Sequence, residues 1–396
     1  MVAVSRAIAI RTFAVARPPR ARFIPALPTL WPEMLSPFAP PRDEAFPLDA
    51  PRTTFYYLAR NAVFHGARLL GLAGREVLVP AYHHGVEVGA LAAAGAIPRF
   101  VRVDGRMRLD LEDAARRIGP RTRALYVIHY AGFPQPMDEV HALARRRGLL
   151  VVEDCALSLL AAEGTRPLGS TGHVGIFCFY KTLPVPNGGA LVVNDPDVEG
   201  APEPPRAAPL ASTLSHAAGS LLANLALRAG DPGEALRSGV RRAYAVARGA
   251  SGLRPVSTGT PEFDPAYVDL GMSPLARLVA RRLDAAEIVA ARRRNYFLLL
   301  GRLRDRVPPV FGELPAGACP LFYPLVCENK AAVAARLALR RIETVDFWRE
   351  GHPLCRAGEF PEAEALRRRV LELPVHQDLA PEDMAHLARA VEEALA

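Results

Sequence analysis

The stretch GIFCFYKTLPVPNGGALVVND, residues 175–195, places a lysine between two apolar runs that have the composition of strands. Lys181 directly follows the first run, and two prolines and a Gly-Gly pair separate it from the second. A lysine at the end of a buried strand loses hydration, and a desolvated amine reacts with carbonyl groups to form Schiff bases. Prolines fix the backbone of the turn and glycines free it. The pattern predicts either a nucleophilic lysine held in one direction or a surface lysine at a hairpin.

The chain from residue 56 to residue 195 alternates short apolar runs with segments of helical spacing. Runs rich in Val, Ile and aromatic residues predict strands at 77–80, 98–103, 124–130, 149–154, 175–180 and 190–195. Apolar residues at helical spacing predict helices at 61–72, 86–95, 111–118 and 137–148. This alternation predicts an α/β fold with a mostly parallel central sheet flanked by helices, in which the last two strands break the pattern.

The 396 residues suit two or more packed units. The proline-rich residues 1–45 predict an extended N-terminal arm without the apolar core of a secretory signal. Residues 46–260 predict the large α/β domain, in which 196–260 form a linker and a helical insert. Residues 261–396 predict a smaller C-terminal α+β domain. It would contain one long helix over 271–305, which begins at Ser273-Pro274, a short strand at 322–328 and a last helix at 381–395.

Composition excludes several classes of protein. Five cysteines without a CxxC pair indicate neither a disulfide framework nor a zinc ribbon, so a reducing cytoplasm is expected. The net charge of +8 favours an anionic ligand, but the arginine clusters lie in helix-like segments without a nucleic-acid motif. Residues 212–230 form an apolar helical segment that His216 and Asn224 interrupt, so we expect a packed helix and no membrane span.

Two further sites accompany Lys181. Asp154 ends the run VVED, and ligands of open parallel sheets gather beyond the carboxyl ends of the strands, although an aspartate there can also cap the next helix. Ala59, Arg60 and Asn61 stand at a helix start, where free N–H groups favour a phosphate. Pyridoxal 5′-phosphate (PLP) needs all three: a lysine for its aldehyde, a carboxylate for its pyridine nitrogen and a helix start for its phosphate.

The ordered segments RNA, VLVPAYHHG, VIHYAGFP, VVEDCALS, GIFCFYKTLPVPNGGALVVND and GMSPLARL resemble the DegT/DnrJ/StrS family of PLP-dependent sugar aminotransferases. The resemblance covers residues 55–195 well and 265–396 loosely. It implies fold type I, the aspartate-aminotransferase type, and a homodimer whose active sites use both subunits. It also implies transfer of an amino group from a donor such as glutamate to a keto sugar, often nucleotide-linked, in sugar, cell-surface polysaccharide or secondary-metabolite biosynthesis.

The resemblance assigns a role to each site residue. Lys181 would bind the cofactor and move the proton, and Asp154 would face the pyridine nitrogen. His84 would stack on the ring. The phosphate positions of the family fall on Cys178, Ala59, Arg60 and Asn61, and the acidic position of its GEGG motif falls on Asn187.

The sequence departs from the family pattern at four points. Leu157 replaces a His or Gln, Cys178 replaces a serine, the helix start lacks Ser-Gly-Thr, and the loop before Lys181 is two residues shorter. Two alternatives therefore stay open: a non-catalytic or regulatory PLP-binding homologue, and another fold-type-I enzyme such as a lyase.

Other candidate residues carry less chemistry. His65, His83 and His84 lack an HExxH pattern or a carboxylate at ligand spacing, so no metal site is expected. His129 ends a strand near the site and favours a structural role over a catalytic one. Cys155 has no activating motif around it and is expected to be a packed residue.

Overall fold

A computed structural model of the chain describes residues 23–36, 38, 40–42, 45–251, 256–260 and 262–396. The strands are β1 Thr53–Tyr56, β2 Glu76–Pro80, β3 Ile97–Val101, β4 Thr122–Ile128, β5 Leu150–Cys155, β6 Ala162–Glu163, β7 Arg166–Pro167, β8 Val174–Cys178, β9 Gly189–Val193, β10 Phe322–Val326 and β11 Val370–Pro374. The helices are α1 Ala59–Leu69, α2 Val86–Ala93, α3 Leu111–Arg117, α4 Met137–Arg147, α5 Leu210–Ala229, α6 Asp231–Ser251, α7 Pro274–Ala280, α8 Ala285–Leu303, α9 Lys330–Leu339, α10 Pro361–Arg369 and α11 Pro381–Leu395. Short 3-10 helices lie at Pro32–Leu35, Tyr130–Gly132 and Pro265–Tyr267.

A seven-stranded sheet forms the centre of the large domain, in the order β1-β9-β8-β5-β4-β2-β3. The strands from β8 to β3 pair in parallel, whereas β9 runs antiparallel to both β8 and β1. The expected mostly parallel sheet is confirmed, and so is the change of direction after the lysine turn. Parallel pairing brings the carboxyl ends of β5 and β8 side by side, because Asp154 pairs with Ile176.

The boundaries of the strands correct the sequence prediction in detail. β8 ends at Cys178, so Lys181 lies three residues beyond the strand, within the turn. Strand β1, which completes the sheet beside β9, was not predicted; it has only four residues and no alternating burial.

The C-terminal part pairs β10 with β11 in an antiparallel ladder, against which α8, α9 and α10 pack, and α11 packs on α8 and α9. The prediction of one long helix over 271–305 is wrong. The chain forms α7 and α8, and Asp284 between them has extended backbone angles and accepts a hydrogen bond from the backbone N–H of Glu287. An aspartate followed three residues later by a glutamate is a capping signal, and it favours a new helix start over a continuous helix.

The first 22 residues of the predicted N-terminal arm lie outside the described part of the chain. The arm is packed from Phe23 onward: Ile24 pairs with Ile342, and Leu30, Trp31 and Met34 are buried. The described portion therefore contributes to the core and is not a free extended segment.

The insert forms a hairpin of two helices, α5 and α6. A Cβ on Gly233 would lie 2.4 Å from the carbonyl oxygen of Leu225, so a glycine allows the helices to approach closely. Helix α6 was not predicted, although Gly230 followed by Asp231-Pro232 is a stop signal followed by a start signal. Helix α5 is long and apolar enough to cross a membrane by length and composition, a test that core helices of soluble proteins also pass.

Candidate active site

A cavity of about 280 Å³ lies beyond the carboxyl ends of β5 and β8. Six of the seven predicted site residues line it: Ala59, Arg60, His84, Asp154, Cys178 and Lys181. Residues 258–259 after the helical insert and residues 345–348 of the C-terminal part complete its wall. Segments far apart in the sequence therefore enclose one small space in which an amine and a carboxylate are both present.

Asp154 is the buried carboxylate of the cavity. Its Oδ2 accepts a hydrogen bond of 2.7 Å from the Tyr126 hydroxyl, and its Oδ1 accepts one of 2.8 Å from the backbone N–H of Ala156. Burial raises the pKa of Asp154, while the Tyr126 hydrogen bond, the Ala156 N–H and the charge of Lys181 act in the opposite direction. The aspartate is thus held in one orientation, and a cationic neighbour would stabilise its buried carboxylate.

Lys181 extends its half-buried side chain into the cavity, where Nζ lies 5.0 Å from the centroid of the Phe347 ring. The following residue fixes the turn, because the Thr182 carbonyl accepts hydrogen bonds of 2.9 Å from both Arg292 Nη2 and Gln377 Nε2. Arg292 is completely buried, and burial lowers its pKa to about 10. The C-terminal part thereby clamps the backbone that carries the lysine.

His84 presents a neutral ring to the cavity. Burial, together with the charges of Lys181 and Arg60, lowers its pKa to about 3. Its backbone N–H donates to Glu87 Oε1 at 2.9 Å, while its Nδ1 is buried without a hydrogen-bond partner among the described residues. An unpartnered buried nitrogen at a cavity wall fits a site that a polar ligand completes.

The start of α1 forms a narrow cradle at the cavity. A Cβ on Gly189 would lie 2.5 Å from the backbone nitrogen of Ala59, so only glycine permits β9 to approach the helix start this closely. Gly188 has a φ of 141°, which glycine tolerates far better than other residues. The Gly-Gly pair after the lysine turn therefore sets the distance between β9 and α1.

Two residues of the predicted helix-start triplet behave differently from the expectation. The Asn61 side chain turns away from the cavity and donates to the Tyr267 carbonyl at 2.9 Å, so its predicted contact with a cofactor has no side-chain basis. Arg60 lines the cavity, but its guanidinium bonds to Thr260 Oγ1 and to the carbonyls of Thr258 and Glu262. Arg60 thus ties the loop after the insert to α1.

Cys178 and Leu157, two of the departures from the family pattern, both line the cavity. Burial raises the pKa of the Cys178 thiol, partly offset by Lys181, so the thiol is a neutral and weak hydrogen-bond donor. Leu157 supplies an apolar surface where the family pattern has a hydrogen-bonding side chain. Asn187, at the acidic position of the family, instead bonds Ser273 at the start of α7.

The sequence reasoning missed several residues of the site. Tyr126 orients Asp154, and Glu87 is a second buried carboxylate whose pKa is raised by burial and by Asp154. Glu87 follows His84 by three residues at the start of α2, a spacing that signals a capping side chain. Phe347 and Trp348 come from the C-terminal part, and a local sequence signal for their position is absent.

The buried residues His129, Glu153 and Cys155 place their ligand-type atoms within 4.8 Å of one another. Hydrogen bonds already use both nitrogens of His129: Nε2 lies 3.0 Å from Glu153 Oε2, and Nδ1 accepts from the Gln135 N–H. Glu153 also accepts the N–H groups of Gly169 and Thr171. The cluster is a hydrogen-bonded core that shapes the loop between β5 and β8, which agrees with the structural role expected for His129.

The histidines considered for a metal do not converge. His65 stacks on Tyr56 and lies 3.3 Å from Asp269. His83 is buried between the Pro80 carbonyl and the His352 N–H, and burial lowers its pKa to about 3.

The sequence profile of the DegT/DnrJ/EryC1/StrS aminotransferase family matches residues 60–202, the segment that carries α1, Asp154 and Lys181. Over this segment the chain is similar to that family. The family is PLP-dependent, and the parallel sheet with its flanking helices is the fold-type-I architecture. The enzymatic class suggested by Lys181 and Asp154 is therefore that of an aminotransferase.

Relatives and solved structures agree with this similarity. The chain is 25% identical to the dTDP-4-dehydro-2,3,6-trideoxy-D-glucose 4-aminotransferase of Saccharopolyspora spinosa, over 88% of this chain and 86% of the relative. It is 38% identical to the dTDP-3-amino-3,4,6-trideoxy-alpha-D-glucose transaminase of Streptomyces venezuelae, over 33% of this chain and 36% of the relative. The structure of S. venezuelae DesV in complex with a ketimine intermediate superposes with a TM-score of 0.62 at 23% identity, covering 87% of this chain and 85% of DesV. This last likeness concerns the fold.

Proposed function

We propose that this aminotransferase moves an amino group from an amino acid such as glutamate to a keto sugar that is linked to a nucleotide. One observation carries the assignment. The sequence contains only two lysines, and one of them, Lys181, lines the same cavity as the buried Asp154. The other, Lys330, lies at the start of α9 and is paired with Asp346 Oδ1 at 2.6 Å.

The residues present fit PLP. Asp154 supplies a carboxylate for the pyridine nitrogen, Lys181 supplies the amine for the aldehyde, and His84 supplies a neutral ring for stacking. The N–H groups of the first turn of α1, beginning at Ala59, suit a phosphate. The unpartnered Nδ1 of His84 supports the fit, because a buried nitrogen without a partner favours a polar ligand at this point.

Each side chain has a definite task in the reaction. When bound, PLP supplies a ring that withdraws electrons and stabilises negative charge on the substrate carbon. Asp154, oriented by Tyr126, keeps a proton on the nitrogen of that ring. Lys181 removes a proton at one carbon and returns it at another, a role suited to an amine that is half-buried and fixed by a rigid turn. Phe347 covers the lysine and restricts the entry of water.

The substrate class is supported by the relatives and by charge. The two curated relatives described above are named for dTDP-sugars. The net charge of +8 suits a substrate that carries a diphosphate. The proposal includes a homodimer whose sites use both subunits, as the resemblance implies, and a cytoplasmic location. The five cysteines are unpaired, which suits a reducing compartment.

A second function, a non-catalytic PLP-binding regulator, is favoured by one observation. Leu157 and Cys178 replace two polar contacts at the cavity wall, which weakens the hold on a cofactor without removing its lysine. This alternative predicts a cofactor that is bound but does not turn over.

Borohydride reduction followed by peptide mass spectrometry tests cofactor binding. The expected result is a single covalent PLP adduct on Lys181 and a visible absorbance band before reduction. Lys181→Ala should lose both and lower kcat roughly a thousandfold or more. Lys330→Arg is the matched control and should keep adduct, band and rate. An adduct on Lys330, or none at all, would refute the assignment.

A second measurement separates the enzyme from the regulator. Glutamate added to the purified protein should convert the visible band to that of the pyridoxamine form, and a dTDP-linked keto sugar should restore it. A spectrum that stays constant with every amino donor would favour the regulator. Release of a deaminated or cleaved amino acid without amino transfer would favour a lyase.

A further inference from the structure

Helix α5 of the insert has its polar side turned inward. Ser212 Oγ accepts the N–H of Val256 at 3.0 Å, Ser220 Oγ accepts the N–H of Leu30 at 2.7 Å, and Asn224 Nδ2 donates to Thr29 Oγ1 at 3.0 Å. The polar residues that interrupt the apolar helix are therefore those that attach it to the protein. The large apolar residues that remain exposed on this helix are Leu210, Leu214 and Leu225.

Helix α6 also leaves apolar residues exposed. Arg237 is buried and pairs with Glu234 and Glu343, whereas Leu236, Val240 and Tyr244, spaced four residues apart, are exposed. A surface helix ordinarily buries its apolar stripe and exposes its polar one. Helix α5 reverses that rule, and α6 exposes apolar and basic side chains together.

The exposed apolar residues lie at matching levels along the hairpin. Tyr244 is joined to α5 by a 3.1 Å hydrogen bond from Ser215, next to Leu214 in the sequence. At the other end, Gly233 of α6 lies against the carbonyl oxygen of Leu225. We call the six exposed residues the apolar face of the hairpin: Leu210, Leu214, Leu225, Leu236, Val240 and Tyr244.

Charge distinguishes the partners that could cover this face. The only acidic residues between 210 and 251 are Asp231 and Glu234, which stand together at the start of α6 and are paired with Arg341 and Arg237. Arg241 and Arg242, about two turns beyond Glu234, are exposed. A surface that combines large apolar side chains, a tyrosine and arginines without carboxylates is typical of helices that lie in the interface of an anionic bilayer.

We propose that the apolar face of the α5–α6 hairpin docks on the surface of an anionic lipid bilayer. The inward hydrogen bonds of Ser212, Ser220 and Asn224 keep α5 attached to the protein, so the hairpin lies on the bilayer and does not cross it. A second copy of the chain is disfavoured as the occupant, because the two carboxylates of the hairpin, Asp231 and Glu234, are already paired within the chain and do not meet the arginines of another copy. The inference is independent of the proposed transamination.

Flotation of the full chain with vesicles tests the proposal. The protein should float with vesicles of phosphatidylcholine and phosphatidylglycerol at 7:3 and remain at the bottom with pure phosphatidylcholine. The double variant Leu214→Gln/Val240→Gln should lose binding. The double variant Arg241→Gln/Arg242→Gln should bind about 25-fold more weakly, since each arginine near such a surface contributes about fivefold, and should be less sensitive to salt. Leu339→Gln, at a leucine of α9 that is 87% exposed, is the control and should float like the wild type.

A fluorescent reporter gives an independent measurement. Both native tryptophans, Trp31 and Trp348, are buried, so Leu214→Trp would add an exposed one. Its emission should shift to shorter wavelength with anionic vesicles only. The proposal is overturned if the wild type floats with neither kind of vesicle, or if Leu339→Gln loses binding to the same extent. It is also overturned if the Leu214→Gln/Val240→Gln variant dissociates an oligomer in light scattering while the wild type ignores vesicles, a result that would assign the face to a second copy.

Discussion

Replacement of Tyr126 by phenylalanine isolates the electrostatic role of Asp154. The hydroxyl of Tyr126 donates a 2.7 Å hydrogen bond to Asp154 Oδ2, and both side chains are buried. A hydrogen bond to a charged group contributes about 1.5–3 kcal/mol, and one pKa unit corresponds to about 1.4 kcal/mol. Because this bond favours the carboxylate, its loss should raise the pKa of Asp154 further above its ordinary value, in the direction in which burial already shifts it.

The sign of the effect on activity follows from the role of the carboxylate. In the proposed reaction Asp154 is ionised to keep the pyridine nitrogen protonated, and the ionised form is lost as the pH falls through its pKa. In Tyr126→Phe that loss begins at higher pH. The acid limb of kcat against pH should therefore move to higher pH, while the rate well above the limb should stay close to that of the wild type.

The assay is kcat at saturating substrates across the acid and neutral range, with circular dichroism to check folding. Tyr296→Phe is the matched control. The buried hydroxyl of Tyr296, on α8, donates a hydrogen bond of 2.8 Å to the Phe311 carbonyl and does not contact Asp154, which lies on β5. The control should leave the acid limb in place. A uniform loss of rate at every pH in Tyr126→Phe, without displacement of the limb, would refute the electrostatic reasoning and leave only a packing role.

Two further predictions concern the frame of the site. Gly189→Ala places a Cβ 2.5 Å from the backbone nitrogen of Ala59, so it should destabilise the protein by about 1–3 kcal/mol and weaken PLP binding. The melting temperature measures the first effect and a cofactor titration the second. An unchanged affinity for PLP would contradict the role of the close contact between β9 and α1. Glu153 has a pKa lowered to about 2, since hydrogen bonds from His129 and two backbone N–H groups outweigh its burial, from an ordinary value of 4.5. Its carboxylate should therefore add about 3 kcal/mol to the free energy of unfolding above pH 4.5, and this contribution is lost as the pH falls toward 2. Urea unfolding of the wild type and of Glu153→Gln should show a difference in stability that is large at pH 7 and small at pH 3. A difference that stays constant with pH would contradict this account.

The sequence predicted the part of the site that depends on local pattern. Asp154 lies at the carboxyl end of β5 and Lys181 follows the neighbouring strand β8, and parallel pairing brings the carboxyl ends of such strands to one edge of the sheet. The strand composition and the direction of β9 after the turn were sufficient to place both residues. Gly188 and Gly189 were visible as a pair, although their contact with α1 required the register between β9 and β1.

The sequence did not predict features that depend on contacts between distant segments. Phe347 and Trp348 reach the cavity only because β11 and α10 carry the C-terminal part against the large domain. The Asn61 side chain points away from the cavity because it donates to the carbonyl of Tyr267, which is 206 residues away in the sequence. The reversed polarity of α5 was equally hidden, because Asn224 and Ser220 find their partners in the N-terminal arm.

The contacts that join the two domains are also the walls of the cavity. Arg367 of α10 donates to the carbonyls of Ala81 and His83 in the large domain and to that of Trp348 in the C-terminal part. Phe347, beside that tryptophan, lies over Lys181. A ligand that fills the space between these residues binds more tightly when the C-terminal part is docked on the large domain than when the two are apart. The ligand therefore stabilises the docked arrangement in proportion to this difference in affinity. PLP binding and domain docking should therefore strengthen each other, because the loop that carries His84 and the turn that carries Lys181 are both held by side chains of the C-terminal part.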